Sequence, residues 1–255
     1  MSRRTATIVL FAVTTAVITA ALLAPRVAQP LSYHNFADQR RWLGIPRFGD
    51  VVSNVPFAIV GVLGLIFLFR QRRKTFIDPR ERWPFYFVFL GLVLTAAGSS
   101  YYHLAPDNAR LVWDRLPMTV VFMAMVAAMI TERISIRAGL RLLSVLLGVG
   151  IASVIQWHLS EVRGAGDLRF YGAVQVYAGL VLLFILLFPP CYSRGSDLAV
   201  VVGFYLLAKI LETFDRQIFD TLHVVSGHTL KHLAGAAAGY WILRMLQKRQ
   251  ALSPI

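Results

Sequence analysis

The sequence predicts an all-α fold: a polytopic transmembrane helix bundle with a seven-span core and an extra span at the N-terminus. Three observations carry this reading. Of the 255 residues, 57% are hydrophobic and only 15% are charged, whereas soluble domains carry about 25% charge. The apolar residues gather into eight runs near the length of about 20 residues that a helix needs to cross a bilayer. The net charge of +13 sits in short segments between those runs. That is the signature of membrane topology and not of a basic face, so nucleic-acid binding is excluded.

Residues 5–24 carry no charge and follow Arg3 and Arg4. The run is longer than the apolar core of a signal peptide and no Ala-x-Ala site follows closely, so residues 1–24 read as an uncleaved transmembrane anchor. Residues 25–49 are polar and mixed, and read as an outer loop with a short interfacial helix. The core, 50–245, begins with spans at about 50–69, 83–103, 114–131, 141–158 and 171–189. A span at 197–218 is interrupted by Lys209, Glu212 and Asp215, and the last, 224–245, contains His228, Lys231 and His232. Turn signals divide them: Ala105-Pro106-Asp107-Asn108, Gly164-Ala165-Gly166 and Pro189-Pro190. Residues 246–255 form a cytoplasmic tail.

Basic residues set the orientation. With the N-terminus inside, the inner segments hold fifteen Lys and Arg and the outer ones nine, and six of the fifteen lie between Arg70 and Arg82. Both termini therefore belong in the cytoplasm. The single cysteine, Cys191, rules out an intrachain disulfide and a cysteine-ligated metal site. A preference for Arg over Lys and the lack of any Asn-x-Ser/Thr sequon fit a bacterial inner-membrane protein.

His228-Thr229-Leu230-Lys231-His232 opens the last span. Histidines four apart stack on one helix face, where they can grip a metal or simply serve as polar residues at a helix entrance. Ionisable groups at a span mouth are costly and usually functional. The predicted topology brings His103, at the outer end of its span, to the same side of the membrane. Three neutral imidazoles with an open fourth position are the ligand set of a hydrolytic zinc site. Asp114 is the natural candidate for a proton acceptor and Ser99 for an oxyanion donor. Each has a plainer reading. Asp114 would cap its helix, with Pro117 in the first turn; Ser99 would be a small packing residue. Ser100 competes with Ser99, although the spacing Ser99-x-x-x-His103 places Ser99 on the histidine's face.

Ser99-x-x-x-His103, Asp114 eleven residues after that histidine, and His228-x-x-x-His232 in the final span together resemble the alkaline ceramidases. These belong to the CREST superfamily of seven-span metal-dependent hydrolases, which includes adiponectin-receptor-like proteins. The resemblance covers about 50–245. It implies that His103, His228 and His232 bind one catalytic zinc ion, that Asp114 assists water and that Ser99 stabilises the oxyanion. It further implies a substrate drawn from the bilayer, a ceramide or related N-acyl lipid, cleaved at the amide to a long-chain base and a fatty acid. Eukaryotic members carry an acidic segment, Asp-Trp-x-Glu-x-Asn, that binds calcium. Here Ala37-Asp38-Gln39-Arg40-Arg41-Trp42 is basic, which argues against calcium. Asp50-Val51-Val52-Ser53-Asn54 is similar to a Ser-Asn pair of the family and is expected near the site.

Gln156, Trp157, His158, Tyr171, Gln175, Glu212, Asp215 and Asp220 either shape a headgroup pocket or pack helices together. Lys209 and Glu212 suit an ion pair on one helix face. His34, His158 and His223 are left out of the metal set. Two other functions stay in view: a seven-span receptor or regulator with a structural zinc, which needs neither Asp114 nor Ser99, and a haem protein using two axial histidines. No Gly-x-Ser-x-Gly elbow of a serine hydrolase is present. The sequence leaves the oligomeric state open.

Overall fold

In lipid every backbone N–H and C=O must be satisfied within its own segment, and an apolar chain meets that demand as helices. The computed structural model describes residues 3–70 and 75–252, and its regular elements are all helical. They are α1 (Arg3–Leu23), α2 (Phe48–Val52), α3 (Val55–Arg70), α4 (Arg82–Leu104), α5 (Asn108–Arg133), α6 (Ile136–Val162), α7 (Arg169–Ile185), α8 (Asp197–Thr213), α9 (Asp215–Leu222) and α10 (Gly227–Lys248). Three of the basic residues used for orientation, Arg72, Arg73 and Lys74, and the end of the tail from 253 onward, lie outside the described residues.

Among the described residues, five helical stretches are long and apolar enough to cross a membrane: Arg4–Leu23, Phe48–Arg70, Pro79–Leu104, Asn108–Arg133 and Ile136–Val162. They mark an integral membrane protein. A shorter apolar helix is Arg169–Ile185. The expected count of seven core spans is not reached on length and composition alone. The stretch 197–218 is not one span; it breaks at Phe214 (φ −98, ψ 25) into α8 and α9. The break has a cause: Asp215, the first residue of α9, is drawn away to accept from the backbone N–H of Ala37 (2.9 Å) and of His228 (2.8 Å). α10 carries His228, Lys231 and His232 in its first half, and it packs on α8 and α3, so its polar face meets protein and not lipid.

α5 is the central helix, packed between α4 and α6. Its stretch from Met123 to Thr131 is almost wholly buried, and Ala124, Ala127 and Ala128 let the neighbours approach closely, as small residues do between membrane helices. α1 stands at the periphery against α7, with Phe11 and Leu22 exposed. It is tied at its C-terminal end, where Arg169 donates to the Ala24 carbonyl (2.8 Å) and the Leu168 N–H to the Val27 carbonyl (2.8 Å). The loop after α1 does more than connect. It forms a 3-10 turn at Leu31–His34 and then dips inward, burying Phe36, Ala37 and Asp38.

Candidate metal centre

Three elements converge where that loop dips. α4 contributes Ser99 and His103 from one face, one turn apart, both 1% exposed. α10 contributes His228 and His232. The entrance of α10 is held by three polar side chains. Ser226 caps it, accepting from the Thr229 N–H (3.0 Å). Asp50 Oδ1 accepts from Ser226 Oγ (3.2 Å) and from Thr229 Oγ1 (2.9 Å), while Asp215 takes the His228 N–H. Gly227 is required by a close approach: a Cβ there would meet the Leu211 carbonyl oxygen and Asp215.

The third contributor is the break between α2 and α3. Asn54 Nδ2 donates to the Asp50 carbonyl (2.8 Å), serving the backbone that the break exposes. Ser53 Oγ lies 3.2 Å from the same carbonyl, to which it donates, and 2.8 Å from His232 Nδ1. With its proton committed to the carbonyl, Ser53 accepts from His232 Nδ1–H, which leaves the Nε2 lone pair of that ring free. The expectation that Asp50, Ser53 and Asn54 lie near the site is met.

His103, His228 and His232 offer ligand nitrogens that all lie within 4.8 Å of one another, and all three side chains are buried. The Nε2 atoms of His103 and His228 are 3.2 Å apart. Two ligands at about 2.0–2.1 Å from a tetrahedral ion would be about 3.3 Å apart. His103 Nδ1 is buried with no hydrogen-bond partner. A dry group of three imidazoles so poorly served by hydrogen bonds fits a cation. Phe36 closes the site from the loop side, its ring centroid 4.6 Å from that of His103 and 4.5 Å from that of His228.

His232 also borders a cavity of about 180 Å³ whose lining is mostly apolar and runs from Phe57 and Leu92 to Val201 and Ile242. Ser99 and Asp114 line the same cavity. Ser99 Oγ is buried without a hydrogen bond of ordinary geometry, whereas Ser100 Oγ donates to the Val51 carbonyl (3.2 Å). Gly98 is the second glycine that a close approach demands. A Cβ there would overlap the Trp113 carbonyl oxygen, so its absence lets α4 lie against α5 beside Asp114. The capping alternative for Asp114 is corrected. α5 starts six residues earlier, at Asn108, and Asp107 is its cap, accepting from the Arg110 N–H (2.7 Å). Asp114 is buried nearly two turns inside, and Pro117 is likewise inside the helix and not in its first turn.

Other expected residues find places. Glu212 accepts from Lys209 (3.0 Å), as expected on one helix, and also from Lys231 of α10 (2.5 Å). Gln175 lines the cavity. His34 bonds Tyr102 Oη (2.8 Å) and Asn108 Oδ1 (2.9 Å), apart from the histidine group. Both carboxylate oxygens of Asp38, in the segment aligned with a calcium motif, are gripped by Arg40 (2.8 and 2.7 Å). Burial pushes the Asp38 carboxyl up, but the hydrogen bonds and charge of Arg40 outweigh it and hold the group below the usual carboxylate range. Sequence reasoning missed Ser53 as the partner of His232, Phe36 as the cover and Arg115. Arg115, one of the nine basic residues that the predicted topology places in outer segments, is a buried residue of α5.

No curated protein matches this chain. A family model described as Ceramidase matches residues 45–188, more than half of its length. The matched stretch includes Ser53, Ser99, His103 and Asp114 and ends before His228 and His232. The structure brings those two later histidines onto the first, and on this match the chain belongs to the ceramidase family.

Proposed function

We propose that this protein is a zinc-dependent intramembrane lipid amide hydrolase. It cleaves the N-acyl bond of a ceramide or related N-acyl lipid to a long-chain base and a fatty acid. The observation that carries the reading is the buried triad of His103, His228 and His232 beside an apolar cavity whose wall also holds Ser99 and Asp114. Membership of the ceramidase family supports an amidase acting on a membrane lipid.

The three histidines hold the metal, and an all-imidazole set suits zinc. When bound there, zinc supplies Lewis acidity to water and to the amide carbonyl. Ser53 fixes the tautomer of His232 and so orients its ligating nitrogen. Asp114 takes a proton from the attacking water and returns it to the departing amine. The buried hydroxyl of Ser99 donates to the carbonyl oxygen as charge develops on it. The apolar wall takes the acyl chain, and Phe36 keeps bulk water off the histidines. A structural metal site would need neither Asp114 nor Ser99, which favours the hydrolase over the receptor reading.

In the same reading α8 and α10 complete a seven-span core, residues 1–24 are an added anchor, both termini are cytoplasmic and the site opens to the outer half of the bilayer. The test is a panel of N-acyl lipids incubated with the purified protein, with and without a chelator, reading released fatty acid by mass spectrometry. Release should stop on chelation and return with zinc. A fully metal-loaded protein that releases nothing across the panel would sink the proposal.

A further inference from the structure

Beside the apolar cavity lies a polar one of about 240 Å³, and Arg115 forms part of its wall. Arg115 is 4% exposed and makes no ion pair among the described residues. Its Nη2 donates to the neutral Oε1 of Gln29 (2.6 Å), and its Nη1 is buried with no partner. The guanidinium sits among three aromatic rings, 4.2 Å from the centroid of Trp157, 4.5 Å from Tyr171 and 5.5 Å from Tyr33. Such rings steady a cation without neutralising it. Glu161 is engaged elsewhere, by the Gln29 N–H (2.8 Å) and Trp157 Nε1 (3.2 Å). In the same lining Lys209 and Lys231 share the single carboxylate of Glu212. The pocket thus holds three cations against Glu212 and Asp114.

A buried guanidinium is ordinarily paired, and its fork geometry matches phosphate and carboxylate oxygens. The polar pocket and the apolar cavity share Asp114, Met118, Gln175 and the Lys209–Glu212–Lys231 group as common wall. One molecule with a chain and a charged head would fill both, with Asp114 at the junction. We propose that Arg115 binds an anionic headgroup, such as a phosphate, phosphonate, sulfonate or carboxylate, on the lipid this protein accepts. The proposal rests on the amidase reading of the neighbouring site and narrows its substrate to N-acyl lipids with an acidic head.

The test uses three chain-matched probes without an amide bond: dodecyl phosphate, dodecanol and dodecyltrimethylammonium. Binding to the protein in neutral detergent is followed by tryptophan fluorescence, since Trp157 lies against Arg115. Dodecyl phosphate should bind tighter than dodecanol by at least about tenfold, the worth of one hydrogen bond to a charged group, and the cationic probe should bind weakest. The order should survive chelation, which removes the metal as a phosphate ligand. Arg115→Gln should abolish the preference, and Arg115→Lys should keep most of it. If Arg115→Gln fails to melt cooperatively, the wild-type order and the lysine variant decide. Equal affinities for the three heads, or a preference that survives in Arg115→Gln, would overturn the proposal. Inorganic phosphate binding as tightly as dodecyl phosphate would also overturn it, pointing to a soluble anion. Because no probe can be hydrolysed, these outcomes are independent of whether the amidase assay succeeds.

Discussion

His103 Nε2 and His228 Nε2 face each other at 3.2 Å between α4 and α10. Two neutral imidazoles cannot both aim lone pairs into that gap without repulsion, so a proton or a cation must lie between them. With the third ring centred 5.1 Å from His103 and 4.7 Å from His228, a cation is the solution that serves all three.

His228→Ala should therefore strip the metal, because two remaining imidazoles do not hold zinc where the described residues group only these three histidines. Ser53→Ala should keep the three ligands but free His232 to rotate, weakening zinc affinity by about 10–100-fold, the usual effect of losing an outer-shell partner. Zinc analysis of purified protein and a chelator-competition titration read both. A full zinc complement in His228→Ala would refute the triad as the metal site.

Asp114→Asn separates proton transfer from structure. Asp107, not Asp114, caps α5, so the substitution takes no cap away, and asparagine preserves the side-chain size. The variant should melt like wild type and keep its zinc, while turnover falls by about 10²–10⁴-fold, the usual contribution of a positioned acid–base group. Activity near wild type would remove Asp114 from the mechanism.

Sidedness can be read from one pair of positions. Asp107 lies at the histidine end of α5, and Arg137 is exposed beyond its other end. In a background with Cys191 replaced by serine, an impermeant thiol reagent added outside intact cells should label a cysteine at 107 and not at 137. The reverse pattern would invert the proposed orientation.

The cover over the site should loosen in acid. Asp38 titrates lower in the folded loop than its ordinary value of 3.8 because Arg40 holds the anion. Its stabilisation is fully present above that value and is lost as pH falls below it. Protection from hydrogen exchange across residues 25–47 in detergent, taken relative to the unstructured rate at each pH, should fall as pH drops below 3.8, and Asp38→Asn should be less protected already at pH 5. An exchange rate in Asp38→Asn equal to wild type at pH 5 would dismiss this pair as the loop's anchor.

The histidine group was legible in the sequence because its parts are local: His228 and His232, and Ser99 and His103, are one-turn pairs, and only the meeting of two helices had to be inferred. What escaped depended on backbone between the apolar runs. Hydropathy started the fourth helix at Asp114, so the two preceding turns were invisible and Arg115 was counted as a loop charge when it is buried. The break at Phe214 is set by two N–H groups far away in sequence, at 37 and 228, which no local pattern encodes. Phe36 looked like an ordinary aromatic of a polar loop, since nothing in its neighbours announces that the loop turns inward.

Asp215 joins three segments at one point, with one oxygen on the Ala37 N–H and the other on the His228 N–H. In mechanical terms it is a rivet. The segment carrying Phe36 cannot lift alone, because lifting strands a carboxylate oxygen that already secures the first turn of the helix bearing two of the three histidines. Traffic from the aqueous side thus meets a door bolted to the hinge of the metal-holding helix. In the proposed function a chain-bearing molecule reaches the imidazoles from the other side, through the apolar cavity that His232 borders.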